Sequence, residues 1–125
     1  MKNMKIAVTA KGENLEAELD PRFGRCQFFL LIDSETMQVE SISNESVMAS
    51  GGAGIQAAQN IIKTGAKIVL TGNIGPNAFQ TLSAAGVKVY TGNNGLVGDV
   101  LNKWKNDQLK ETSNPTVGSH SGLGF

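Results

Sequence analysis

The stretch Lys67-Ile68-Val69-Leu70-Thr71-Gly72-Asn73-Ile74-Gly75-Pro76-Asn77 changes character twice in a few residues. It opens as a buried β-like run, breaks at glycine, and reaches a proline suited to the first turn of a helix. A strand that hands over to a helix through such a turn is the repeating unit of an α/β fold. The same change occurs on either side. Upstream, Ser50-Gly51-Gly52-Ala53-Gly54-Ile55-Gln56 leads into a helical run in which Ile55, Ala58 and Ile62 share one face and Gly65 is the stop. Downstream, Phe79, Leu82 and Ala85 mark the inner face of a second helix, closed by Gly86. Val87-Lys88-Val89-Tyr90 is then a last short strand. Thr91-Gly92-Asn93-Asn94-Gly95 opens a third helix with Leu96, Val100, Leu101 and Trp104 facing inward.

The N-terminal half supplies three more strands. Lys5-Ile6-Ala7-Val8-Thr9-Ala10 is the first. A polar stretch from Lys11 to Arg25 follows, longer than most connections, which favours a functional loop. Cys26-Gln27-Phe28-Phe29-Leu30-Leu31-Ile32-Asp33 is the second strand, Ser34-Glu35-Thr36 a tight turn, and Met37 to Ser43 alternates apolar with polar as a half-wet third strand. The order is βββαβαβα. Helical crossovers imply parallel neighbours, so the simplest layout is a five-stranded mixed sheet, order 3-2-1-4-5, with only strand 2 antiparallel and three helices. That layout gathers the three glycine turns and Arg22-Phe23-Gly24-Arg25-Cys26 along one edge. Open α/β sheets bind ligands outside the carboxyl ends of their strands.

The chain has 125 residues, which fits a single domain with a real core. Eleven basic and eleven acidic side chains cancel, leaving no electrostatic case for nucleic acid or an anionic membrane. No apolar run approaches the length of a bilayer span or of a signal-peptide core, so the chain reads as cytoplasmic. One cysteine, Cys26, excludes an intrachain disulfide. The apolar pattern fades after Asn106. Residues 1–108 read as the folded domain and 109–125 as a flexible tail, with Leu123 or Phe125 as docking points. A monomer or weak dimer is expected.

Each glycine turn serves equally well to reverse the chain. Together on one edge they favour an anion, since helix N-termini offer free N–H groups and partial positive charge. Arg22 and Arg25 either grip that anion or pair with Asp20 or a nearby glutamate. Gly51-Gly52-Ala53-Gly54 lacks the Lys-Ser/Thr of a phosphate-binding loop and the spacing of a dinucleotide fingerprint. Cys26 is either a small buried side chain or a thiolate ligand at the edge, the latter if Arg22 or Arg25 lowers its pKa. His120 is the only histidine and lies in the tail, a marginal metal ligand beside Cys26. Met48 is packing filler or a soft loop contact, and Phe79 and Trp104 are core. With no Cys-x-x-Cys and no histidine pair, the chain cannot close a four-ligand metal site alone. It has no Ser-His-Asp set, and strand 1 and the first helix carry none of the carboxylates that two-metal nucleases need. A non-enzymatic binding role follows.

Four motifs in combination carry a resemblance. They are Asp20-Pro21-Arg22-Phe23-Gly24-Arg25 before an aromatic strand, Gly52-Ala53-Gly54-Ile55-Gln56-Ala57-Ala58, Thr71-Gly72-Asn73-Ile74-Gly75-Pro76-Asn77-Ala78-Phe79, and Ala84-Ala85-Gly86-Val87-Lys88-Val89-Tyr90. Over roughly residues 4 to 105 the chain resembles the dinitrogenase iron–molybdenum cofactor biosynthesis domain, which includes NifX-like carriers and the C-terminal domain of NifB. The resemblance implies an RNase-H-like α/β fold. It also implies binding of an iron–sulfur or iron–molybdenum cofactor precursor without catalysis, with cofactor-assembly proteins as partners. The motif positions carried over are Arg22, Phe23, Gly24, Gly52, Gly54, Gln56, Gly72, Gly75, Pro76 and Asn77. The edge argued from the residues adds Arg25, Cys26, Gly51 and Asn73. Two other readings stand beside the carrier. One is a regulatory module binding a small organic anion or nucleotide at the same edge; the other is a protein-interaction domain that accepts a strand along Met37 to Ser43.

Overall fold

The computed structural model describes residues 4–44 and 52–116. Among these the chain forms β1 (Lys5–Ala10), a 3-10 turn (Phe23–Arg25), β2 (Phe28–Asp33), β3 (Val39–Ser43), α1 (Ala53–Lys63), β4 (Ile68–Leu70), α2 (Pro76–Ala84), β5 (Lys88–Tyr90) and α3 (Val97–Lys105). The sheet order is β3-β2-β1-β4-β5. β1 pairs parallel with β4 (Ile6↔Ile68, Val8↔Leu70), and β4 parallel with β5. β2 runs antiparallel between β1 and β3. This is the mixed sheet expected from the crossovers, and it is consistent with the RNase-H-like arrangement.

Helices cover both faces, which is why the central strands are apolar throughout rather than alternating. Ala7, Val69 and Val89 meet α1 and α2 through Ala57, Ile61 and Leu82. Ile6, Val8, Ile68 and Leu70 face the other way, onto Val97, Val100 and Leu101 of α3. β3, at the sheet's rim, is only partly covered.

Three local departures from the sequence reading have physical causes. β2 begins at Phe28, so Cys26 precedes the strand and its side chain is placed by the 3-10 turn instead. Leu96 does not face inward. It is the extended N-cap of α3 (φ −79°, ψ 142°), stands 42% exposed, and leaves the inner position to Val97. The stretch expected to be tail is held at two points within the described residues: Thr112 N–H donates to Val89 O (2.7 Å) and Thr116 N–H to Ile74 O (3.0 Å). Residues 117–125, with His120, Leu123 and Phe125, lie outside the described residues, as do Met48, Ser50 and Gly51.

The long loop after β1 folds back along it. Lys11 N–H bonds Glu18 O, Asp20 N–H bonds Thr9 O, and Leu19 is buried in the α3-side core. The loop then crosses the end of β4, where Pro21 lies directly on Gly72. A Cβ at Gly72 would sit 2.7 Å from both Cα and Cβ of Pro21 and 2.9 Å from its carbonyl oxygen. Backbone cannot yield as a flexible side chain can. Gly72→Ala is therefore expected to destabilise the fold by about 1–3 kcal/mol, the usual range for overpacking. Urea denaturation reads this as a lowered midpoint, and an unchanged midpoint would contradict the close crossing.

Candidate functional site

Residues 20–25 form the first wall of a pocket at the carboxyl edge of the sheet. Asp20 is 1% exposed. A buried carboxylate requires donors, and the chain supplies them two residues on: Oδ1 accepts from Arg22 N–H (3.0 Å) and Arg22 Nε (3.2 Å), and Oδ2 from Arg22 Nη2 (3.2 Å). The Asp-Pro start makes this an Asx-turn. Asp20 raises the Arg22 pKa, through its hydrogen bond first and its charge second. Phe23 turns into the core against Phe29, ring centroids 5.4 Å apart. Asn44, buried at the end of β3, donates to Gly24 O (3.2 Å) and Cys26 O (2.9 Å) and so fixes the turn from behind.

The second and third walls are the beginnings of α1 and α2. Gly24 approaches α1 closely enough that a Cβ there would lie 2.9 Å from Gly54 Cα; Gly54 in turn faces Ala78 of α2. Gly52, the N-cap of α1, sits in the left-handed region at φ +68°, where glycine is unstrained. These glycines bring the two helix starts together with the turn. Between them lies an open pocket of about 470 Å³ lined by residues 22–25, 52–55 and 73–78.

The three glycine turns have different fates. α1 and α2 carry no side-chain N-cap and no acidic residue in the first turn. Among the described residues, the N–H groups of Ala53, Gly54, Ile55, Asn77 and Ala78 have no acceptor. The third turn lies beside the second, with Gly92 N–H bonded to Gly72 O at 2.8 Å, but its helix passes to the other face. There the long loop caps it: Val97 N–H donates to Ala17 O and Gly98 N–H to Leu15 O, both 2.9 Å. Asp99 also stands in its first turn. The α3 N-terminus is thus closed, and the edge offers two open helix starts rather than three.

Of the proposed site residues, Arg22, Phe23, Gly24, Arg25, Gly52, Gly54, Asn73, Gly75 and Asn77 line the pocket. Gln56 is exposed one turn along α1 and does not. Gly72 lies beneath Pro21. Gly51 and His120 lie outside the described residues. Arg25 is exposed and, among the described residues, has no ion pair, whereas Arg22 is committed to Asp20. Sequence reasoning missed Ala53, Ile55, Ile74 and Ala78 of the pocket lining and Asn44 behind it; apolar residues that contribute through backbone, and an asparagine in a loop, carry no distinguishing signal. No group of three or more His, Cys, Asp or Glu side chains among the described residues is placed to hold a metal ion.

Cys26 is behind the pocket, not on it. It is fully buried, its thiol donates to Phe23 O at 3.3 Å, and Asn44 Nδ2 lies 3.7 Å from the sulfur. Of the two alternatives for this residue the small buried side chain is found, and the lowering of its pKa by arginine that a thiolate would need is not. Burial, followed by the charge of Asp20, pushes the thiol from its ordinary 9.0 up to about 12. Because the unfolded chain ionises first, this group's contribution to stability is complete below pH 9 and is lost as the pH rises toward 12. In the native protein at pH 8, Cys26 is expected to resist an aromatic disulfide reagent and to react at once in denaturant. Equal rates in the two states would contradict its burial.

The family model described as dinitrogenase iron-molybdenum cofactor matches residues 4–107. Among solved structures, the apo form of the orange protein from Desulfovibrio gigas is 44% identical and superposes with a TM-score of 0.87, covering 90% of this chain and 95% of that one. A putative NifB protein from Thermotoga is 31% identical with a TM-score of 0.76, covering 86% and 92%. An uncharacterized protein of Methanocaldococcus jannaschii is 27% identical over 114 residues, 89% of this chain and 93% of that one. With the match spanning nearly all the described residues, the chain belongs to the dinitrogenase iron–molybdenum cofactor family.

Proposed function

We propose that the protein is a non-enzymatic binding or carrier protein for an anionic iron–sulfur or iron–molybdenum cofactor precursor, received from and passed to cofactor-assembly proteins. The cargo rests in the pocket between the Phe23–Arg25 turn and the starts of α1 and α2. One observation carries the reading: two helix N-termini converge on a single pocket with five N–H groups unclaimed among the described residues, while the third is capped by the chain's own loop. Converging helix starts favour negative charge, and the sulfurs of an iron–sulfur cluster accept hydrogen bonds.

The donor set matches cargo that brings its own ligands. Arg25 supplies a cation not neutralised within the described chain. Arg22 keeps its guanidinium at the rim while Asp20 takes most of its charge. In this reading Cys26 takes no part in binding, since its sulfur is buried behind the pocket. Charge and backbone dipoles, rather than protein–metal bonds, would hold the cluster, which suits a protein that must release what it carries. The family membership and the existence of a relative described in an apo form support the same reading.

Anaerobic titration with a synthetic thiolate-ligated iron–sulfur cubane tests it. Saturable change in the cluster's visible absorption is expected. Arg25→Ala is expected to weaken binding about tenfold, the order of one hydrogen bond to a charged group. Cys26→Ala is expected to leave affinity unchanged. Absence of saturation, or an affinity indifferent to Arg25→Ala, would overturn the reading.

A further inference from the structure

The stretch after α3 crosses from one face of the sheet to the other. Leu109 is half-buried against the α3-side core. Thr112 then meets the outer edge of β5: its N–H bonds Val89 O at 2.7 Å, and its Oγ1 accepts from Thr91 N–H at 2.9 Å. Thr116, the last described residue, reaches the loop before α2. Its Oγ1 accepts from Ile74 N–H at 2.8 Å and donates to Ile74 O at 3.2 Å, while its own N–H also bonds Ile74 O at 3.0 Å. Three hydrogen bonds thus fall on one residue of the pocket wall.

The same wall is held from the opposite side. Asn73 N–H donates to Pro21 O at 2.7 Å, and Asn73 O accepts from Phe23 N–H at 3.2 Å. Consecutive residues, Asn73 and Ile74, are therefore gripped by two segments far apart in sequence. Gly75 and the free N–H groups of Asn77 and Ala78 follow directly. Without the outer grip, the loop between Gly72 and Pro76 would be fixed on one side only.

We propose that Thr116 is a positioning residue for the pocket. Its hydroxyl closes a clamp on Ile74, setting the direction in which the start of α2 presents its N–H groups, and so ties the C-terminal segment to the binding site. As far as it concerns affinity for cargo, the inference rests on the carrier reading. The clamp itself does not.

The test uses the full chain with Thr116→Val, which keeps the shape and removes the hydroxyl, and Thr116→Ser, which restores it. Amide hydrogen exchange at Ile74 is expected to quicken about tenfold in Thr116→Val, the order of one lost hydrogen bond, and to return in Thr116→Ser. Affinity for the iron–sulfur cubane is expected to fall several-fold and recover in parallel, with little change in the thermal midpoint. Unchanged Ile74 exchange in Thr116→Val overturns the clamp whatever the cluster does. Quickened exchange with full affinity retained overturns the positioning role. If the unmodified chain takes up no cubane, the carrier reading fails, and faster exchange reversed by serine still supports the clamp.

Discussion

A carboxylate with 1% exposure lies at the junction of the sheet and the pocket, and it must be satisfied where it stands. Asp20 solves this locally, taking one backbone and two guanidinium donors from Arg22. Its main chain is bound to β1 in both directions, through Asp20 N–H to Thr9 O and Thr9 Oγ1 to Asp20 O at 2.6 Å. Thr9 also joins Thr71 at the end of β4. The ion pair is half in water, with the Arg22 side chain 63% exposed, so its net stabilisation is small. Its consequence is position. Pro21 is set on Gly72, Phe23 enters the core, and Gly24 is brought against Gly54. One wall of the pocket, and its close approach to the start of α1, follow from how a single acid finds its partners.

The same loop decides which helix starts remain open. Leu15 and Ala17 lend their carbonyls to α3, while residues 22–25 pack Gly24 against Gly54 yet give the first N–H groups of α1 and α2 no acceptor. A segment that reads as one long polar connection therefore does two opposite things. It satisfies one N-terminus as part of the fold and frames two others as a surface for something else. Unused first-turn N–H groups at the surface are ordinary when water reaches them. Here they converge across one concavity with an arginine that has no ion pair among the described residues, an arrangement that favours an anion.

The architecture was legible because it rests on period and connection. Apolar runs of strand length, helical spacing in Ile55, Ala58 and Ile62, and the parallel sense imposed by crossovers lead to the order 3-2-1-4-5 without further information. The edge itself was legible for the same reason. What lay beyond the sequence depends on one residue's offset or on distant backbone pairing. Cys26 stands two residues before β2 begins, so strand alternation says nothing about where its thiol points. Leu96 and Val97 are adjacent apolar residues, and the cap geometry alone decides which is buried. The closure of α3 by Leu15 and Ala17, and the reach of Thr116 to Ile74, are contacts between segments that no local pattern links. Gly24, Gly54 and Gly72 are read as binding motif and found as points where backbone meets backbone; Gly24 and Gly54 also line the pocket that this packing builds.

In the carrier reading, negative cargo is held by the starts of α1 and α2 and not by that of α3. Amide chemical shifts during an anaerobic titration with a diamagnetic thiometallate, the tetrathiomolybdate dianion, address it directly. Saturable shifts are expected at Ala53, Gly54, Ile55, Asn77 and Ala78, with Val97 and Gly98 unmoved. Shifts centred on Gly92 to Gly98, or spread evenly over the surface without saturation, would contradict it.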